Sequence, residues 1–218
     1  PSCASTNGGN SWWVTCSPVH PGHVYFGTYG ASVSGIYFSR DGGSSWTSMN
    51  LSDAGTGFQG LHFISRTRGW VVGSNASIFL TSDGGANWIA RNSSVTTGTF
   101  HATTATGSGT GFIVGDGGAI LRSTDGGLQW QPVASGTAYT LRDVAFPNNL
   151  TGYAVGDGGV ILKTVDAGLT WFPVPDTIIG RDYYTVSFTT PDTGWVGGSG
   201  GAMLTTSDGG GSWHQQYT

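Results

Sequence analysis

The sequence predicts an all-β protein, a β-propeller of five blades with four antiparallel strands each, and three observations predict it. First, an eight-residue box recurs five times: SRDGGSSW at 39–46, TSDGGANW at 81–88, STDGGLQW at 123–130, TVDAGLTW at 164–171 and TSDGGGSW at 206–213. Its aspartates, Asp41, Asp83, Asp125, Asp166 and Asp208, stand 42, 42, 41 and 42 residues apart. Self-similarity at such a period marks supersecondary units that cannot bury their apolar faces alone and must stack. Second, GWVVGSNASIFL, GFIVGDGGAILR, GYAVGDGGVILK and GWVGGSGGAMLT precede the last four boxes, each an apolar run, a Gly-rich turn and a second apolar run. Third, LHFIS, LRDVAFP and YTVSF lie upstream of these and alternate as half-buried strands do. One period therefore holds strands A, B, C and D, with the box as the C–D turn.

The elements follow in order. Residues 1–11 read as a leader; STNGGNSW at 5–12 imitates the box with Asn in place of Asp, but strand A follows at once, so it reads as a loop. Blade one covers about 12–49, with strands in WWVTCSP, HVYFG, GIYFSRD and SSWTSM. The others cover about 58–91, 100–133, 141–174 and 183–218. Four-stranded units set side by side protect their edges by closing around an axis. Within the box, Gly supplies the positive backbone angles of a tight turn and the Asp carboxylate accepts hydrogen bonds from the turn's own amides. Trp46, Trp88, Trp130, Trp171 and Trp213 then carry large apolar faces to pack between sheets. The five box aspartates are thus architectural rather than catalytic.

Composition narrows the function. The 218 residues carry one lysine, Lys163, seven arginines, twelve aspartates and no glutamate, for a net charge of −4. Nucleic-acid binding needs clustered cations to displace counterions, and no basic stripe exists here. No apolar stretch approaches a membrane span and no signal segment opens the chain; the initial Pro suggests a processed product or a fragment. Only 9% of residues are charged, against about 25% in ordinary domains, so sugar or burial in an assembly would have to maintain solubility. Sequons stand at Asn50, Asn75, Asn92 and Asn149, and such triplets also arise by chance. Cys3 and Cys16 would either pair, tying the leader to strand A, or remain buried thiols.

Any binding site is set by topology. Strand A runs along the central channel, so its first residues, the D–A loops and the B–C turns share one face, and the boxes lie on the other. Aligning the repeats on the Gly of each B strand places Trp13, Gln59, His101, Arg142 and Tyr184 at equivalent positions on that face. These differ from one another where framework positions repeat, and a symmetric scaffold becomes selective only where its copies diverge. Arg181 and Asp182 add charge beside them; Arg66 and Arg68 fall on the opposite A–B turn, as a solvated edge or a subunit contact. Three sequons, Asn50, Asn75 and Asn92, map to the candidate face in blades one and two.

Catalytic alternatives are thin. Outside the boxes remain Asp53, Asp116, Asp143, Asp157, Asp176, Asp182 and Asp192. Asp116 and Asp157 read as ordinary GDGG turn residues, whereas Asp143 and Asp182 could form the separated pair of an inverting glycoside hydrolase. The histidines, including His20 and His23 in HPGH, lack the partners of a metal site, and no cofactor is implied.

The box resembles the Asp-box (BNR) repeat of sialidases, xyloglucanases and sortilin-type receptors. The longer unit, G-aromatic-x-V-G-x-x-G-x-[IVM]-L-x-[ST]-x-D-G-G-x-x-W, more closely resembles the photosystem II assembly and stability factor propellers. That resemblance implies a protein-binding role beside a photosystem subunit in the thylakoid lumen. Sialidases of this type use an arginine triad with a Tyr/Glu pair, which a chain without glutamate cannot assemble. The composition points instead to a non-enzymatic extracellular propeller, a glycosylated subunit of a filament or surface assembly that meets a protein partner or its own copies, with glycans as a further ligand class. The assembly factor and the Asp-dependent hydrolase stand as alternatives.

Overall fold

A computed structural model describes residues 11–16, 23–28, 35–49, 51, 57–174 and 180–216. Residues 1–10, which hold the leader but for Ser11 and the box-like loop but for Ser11 and Trp12, lie outside the described residues, as do the Cys16 side chain, His20, Asn50, Asp53 and Asp176; the Cys3 half of the expected disulfide is among those ten. Among the described residues twenty strands form five four-stranded sheets. Blade one is β1 (Ser11–Cys16), β2 (Val24–Thr28), β3 (Gly35–Ser39) and β4 (Thr47–Met49). Blade two is β5 (Phe58–Phe63), β6 (Gly69–Gly73), β7 (Ile78–Thr81) and β8 (Ile89–Arg91). Blade three is β9 (Phe100–Ala105), β10 (Gly111–Gly115), β11 (Ile120–Ser123) and β12 (Gln131–Pro132). Blade four is β13 (Leu141–Ala145), β14 (Gly152–Gly156), β15 (Ile161–Thr164) and β16 (Phe172–Pro173), and blade five is β17 (Tyr183–Phe188), β18 (Gly194–Gly198), β19 (Met203–Thr206) and β20 (His214–Gln215). Every sheet is an antiparallel meander in chain order, and the first strands neighbour one another in the series β1, β5, β9, β13, β17. Strand A is therefore innermost, as the sequence predicts.

The boxes fold as one device. In the third, Ser123 Oγ donates to Asp125 Oδ1 at 2.8 Å and accepts the Gly127 N–H at 2.9 Å. Asp125 Oδ1 also accepts the N–H groups of Leu128 and Gln129, each at 3.0 Å. The hydroxyl–Asp–amide pattern recurs in the other four boxes. Hydrogen bonds that favour the charged form lower a carboxyl's pKa. Bonds from Ser45 bring Asp41 to about 2, and bonds from Thr170 do the same for Asp166. The turn needs two positive φ angles, 72° at Gly126 and 87° at Gly127. A Cβ on Gly127 would also lie 2.9 Å from the Trp70 ring. The fourth box departs from this at Ala167, held at φ 59°, a region that costs an L-residue roughly 1 kcal/mol or more.

Packing joins successive blades. Among the described residues the buried apolar side chains divide into four clusters, each shared by two neighbouring blades. At each junction the box of one blade lies against the preceding blade. Trp130 meets the Trp70 ring edge-on at 5.3 Å, Trp171 meets Phe112 at 6.4 Å and Trp213 meets Tyr153 at 6.1 Å. A cation from the earlier blade caps a box carbonyl of the next: Arg68 Nη1 to Asp125 O (3.4 Å), Arg122 Nε to Ala167 O (2.9 Å) and Lys163 Nζ to Gly209 O (2.7 Å). Arg68 is thus an internal clasp rather than the solvated edge expected from SRTRG. Because neighbours cover both faces, β6, β10 and β14 are buried along their whole length. This explains why B strands read as apolar runs rather than alternating ones.

Candidate functional site

Each A strand opens with a β-bulge. Register shifts fall between Phe58 and Gly60, between Leu141 and Asp143 and between Tyr183 and Thr185, and Phe100 and Ala102 likewise flank a shift on β9. The bulged residues are Gln59, His101, Arg142 and Tyr184, four of the five expected positions. A bulge re-aims a side chain out of the pleat, and such features concentrate beside binding sites. In blade one the shift lies between Ser11 and Trp13, and Trp13 pairs in register with Gly27. The equivalent residue is therefore Trp12, which corrects the expectation for Trp13. Blade one's A–B connection is two residues longer, and its Gly27 aligns with Val72 instead of Gly73.

The B–C turns fold back onto these bulges through one repeated bond. The N–H groups of Ser74, Asp116, Asp157 and Ser199 donate to the carbonyls of Gly57, Thr99, Thr140 and Asp182 at 2.8–2.9 Å. That brings the first turn residue beside the bulged one. His101 Nε2 lies 2.7 Å from Asp116 Oδ1. Arg142 grips Asp157 with two parallel bonds, Nε to Oδ1 at 2.8 Å and Nη2 to Oδ2 at 2.7 Å. Such bidentate pairing fixes the guanidinium plane, and it raises the Arg142 pKa above its usual value. Burial pushes Asp116 upward, but bonds from His101 and the Thr99 N–H outweigh it and hold the carboxyl low.

These groups continue from blade to blade. Thr140 Oγ1 of blade four lies 3.4 Å from Asp116 Oδ1 of blade three. Asp182, ahead of blade five, accepts the Gly158 N–H of blade four at 2.9 Å. Arg181 Nη1 reaches Ser199 O at 3.5 Å, and Tyr184 is 52% exposed beside them. The structure thus gathers His101, Arg142, Arg181, Asp182 and Tyr184 over blades three to five, with Gln59 at the same level in blade two. Sequence reading discounted Asp116 and Asp157 as turn residues. Both stand 15 residues after the bulged residue they bind, and that shared offset is the signal that could have found them.

The acid pair weighed for hydrolysis is committed elsewhere. Asp143 Oδ1 accepts the Val144 N–H at 2.8 Å, and Oδ2 accepts the Val186 N–H at 2.9 Å and Thr185 Oγ1 at 3.0 Å. It joins the inner strands of blades four and five, and burial raises its pKa. His62 is also structural: burial lowers it to about 4, and its ring lies 5.8 Å from that of Trp70. Among the described residues no group of three or more His, Cys, Asp or Glu could hold a metal ion, and His23 sits edge-on to Phe38 at 5.0 Å. Asn75 and Asn92 are exposed on the B–C and D–A side. Asn149 is exposed on an A–B turn, its Oδ1 accepting the Ser108 N–H at 3.1 Å.

Comparison with known proteins gives a consistent frame. Among solved structures the chain is similar to YCF48 from Cyanidioschyzon merolae, at 18% identity over 97% of this chain and 86% of that one, with a TM-score of 0.69. It is similar to YCF48 bound to D1 peptide, at 20% identity over 95% and 80%, with a TM-score of 0.51. It also superimposes on part of a GH74 enzyme from Niastella koreensis, at 18% identity over 94% of this chain but 38% of that one, with a TM-score of 0.76. At these identities the likenesses establish the fold alone. Comparison with curated proteins gives no match. The family model described as photosynthesis system II assembly factor YCF48 matches residues 42–137 and 128–217. Those two overlapping matches take in the last four blades and residues 42–46 of the first box, and the chain therefore belongs to the photosynthesis system II assembly factor YCF48 family.

Proposed function

We propose that this chain is a non-enzymatic assembly-factor propeller that holds an extended protein segment against the axial face of blades three to five. The Arg142–Asp157 pair is the observation that carries the reading. Two of the guanidinium's five N–H donors are spent on orienting it, so the rest project from a fixed plane suited to backbone carbonyls or a carboxylate. Tyr184 offers a large, exposed and rotamer-poor contact surface, and such residues often anchor interfaces. A related protein, YCF48, has been solved with a D1 peptide, which favours a photosystem polypeptide as the partner and the thylakoid lumen as the compartment.

In a titration by fluorescence anisotropy, a labelled D1 peptide binds the intact chain, and Arg142→Ala weakens binding about tenfold, whereas Arg66→Ala on the opposite face leaves it unchanged. Equal binding by all three proteins would refute the axial site. A second reading is the extracellular glycosylated subunit. The low charge and the exposed Asn75 and Asn92 favour it, and intact-mass measurement on protein from its native source would reveal the sugar.

A further inference from the structure

The third box departs from the other four at one atom. Elsewhere the residue four places after the Asp closes its second carboxylate oxygen: Ser45 Oγ, Thr170 Oγ1 and Ser212 Oγ donate to Oδ2 of Asp41, Asp166 and Asp208 at 2.6, 2.6 and 2.7 Å, and Asn87 Nδ2 donates to Asp83 Oδ2 at 2.8 Å. In the third box that residue is Gln129, which gives Asp125 only its backbone N–H. Asp125 Oδ1 takes every bond of the turn, and Oδ2 has no partner among the described residues. Burial pushes the carboxyl's pKa upward, but bonds from the Gln129 N–H, the Ser123 hydroxyl and the Leu128 N–H outweigh it and hold the group below its ordinary value. Oδ2 is therefore an open, anionic acceptor. It lines a cleft of about 290 Å³ at the outer edge of the junction between blades three and four. Arg122 lines the same cleft; it spends Nε on the Ala167 carbonyl at 2.9 Å and leaves Nη1 and Nη2 without a partner among the described residues. The two charges share the space without pairing, since the ion pairs among the described residues are His101–Asp116 and Arg142–Asp157. Gln129, Gln131, the half-buried Val133 and the exposed Leu169 of the next box complete the walls.

We propose that this cleft binds a small zwitterion, an α-amino acid with an apolar side chain, its carboxylate on Arg122 and its ammonium on Asp125. Charge complementarity selects the class. An anion would satisfy the guanidinium and meet the carboxylate, a cation would do the reverse, and an uncharged ligand would leave two partly desolvated charges unpaired, which costs free energy. A dipolar ligand satisfies both at once. The paired Nη groups match a carboxylate in plane and spacing, and Oδ2 accepts a charge-assisted bond from an ammonium. Val133 and Leu169 supply an apolar wall for the side chain, while the Gln129 and Gln131 amides can each donate and accept. The volume lies at the small end of the range for ligand sites, as a molecule of this size requires. The next blade does not repeat the set: Lys163 stands in the place of Arg122 and commits Nζ to the Gly209 carbonyl, and Thr170 closes Asp166. The cleft lies at the outer strands, whereas the axial residues lie at the start of the inner ones, so it is tested without the peptide.

Calorimetric titration of the intact chain with L-leucine gives saturable binding with a Kd on the order of 0.1 to 1 mM, as suits a small ligand in a half-open cleft. Isocaproate, which lacks the ammonium, isoamylamine, which lacks the carboxylate, and uncharged maltose each bind at least about tenfold more weakly. Two substitutions copied from the protein's own repeats remove the site and spare the fold. Gln129→Ser supplies the hydroxyl that closes Oδ2, as Ser45 and Ser212 do. Arg122→Lys keeps a cation for the Ala167 carbonyl, as Lys163 does for Gly209, and removes the paired donors. Each weakens L-leucine by about tenfold or more, with an unchanged melting profile. No saturable binding of L-leucine, binding that either substitution leaves intact, or equal binding of any of the three comparison ligands would overturn the proposal. If one variant fails to fold, the other decides together with those ligands.

Discussion

The C–D turns and the B–C turns of this protein both reverse the chain on paired small residues, yet they divide the labour between them. All five C–D boxes repeat the same Ser or Thr, Asp and amide bonds, and the described junctions each set a box against the preceding blade. The B–C turns share only a backbone bond to the start of strand A, and above it the side chains differ: His101 with Asp116, Arg142 with Asp157, Arg181 with the carbonyl of Ser199. Where neighbouring blades must fit, the sequence repeats. Where only solvent or a partner waits, it diverges.

The sharpest break of this comparison is Trp130→Ala set beside Arg142→Ala. Emptying the space of a buried indole at the junction of blades two and three costs about 3–5 kcal/mol in a urea titration. Losing the partly exposed Arg142 costs under about 1 kcal/mol while weakening the peptide about tenfold. Comparable losses would mean that the axial residues hold the fold too.

Acid distinguishes the regions next. His62, at about 4 when folded, stays neutral while the unfolded chain protonates from about 6.5, so stability falls as pH drops from about 6.5 to about 4. The box carboxyls titrate below their ordinary 3.8, so their stabilisation is present above about 3.8 and is lost as pH falls towards 2. Asp143, raised by burial, has the opposite sign, because the folded state holds its proton more tightly. Unfolding midpoints at pH 7, 5 and 3 should decline in two stages, and His62→Leu should flatten the first only. The smallest effect sharpens the contrast from the other side. Ala167→Gly relieves a positive φ and gains roughly 1 kcal/mol, whereas glycine at Val133, outside any box, gains nothing.

Most of this architecture was legible because the boxes are written in residues whose chemistry is local. A Ser or Thr, an Asp two residues on and a Gly four residues on can be read as a turn without knowing what lies across it, and the strand order follows from the period. The axial register was legible in blades two to five because a B-strand glycine marks it. It failed in blade one, where Gly27 occupies a different rung and a longer A–B connection displaces Trp12. The ladder from His101 to Asp182 was hidden for another reason. It depends on which carboxylate a bulge brings within 3 Å, a three-dimensional fact that spacing alone carries only as a repeated offset of 15 residues. The clasp by Arg68 was hidden likewise, since its partner Asp125 lies 57 residues away.

Because each apolar cluster is split between two successive blades, no blade owns an interior. Cutting the polypeptide between any two would leave half an interior facing water on both pieces. The smallest autonomous unit is therefore a pair, and a lone blade, however faithfully it copies the box, has nothing to fold around.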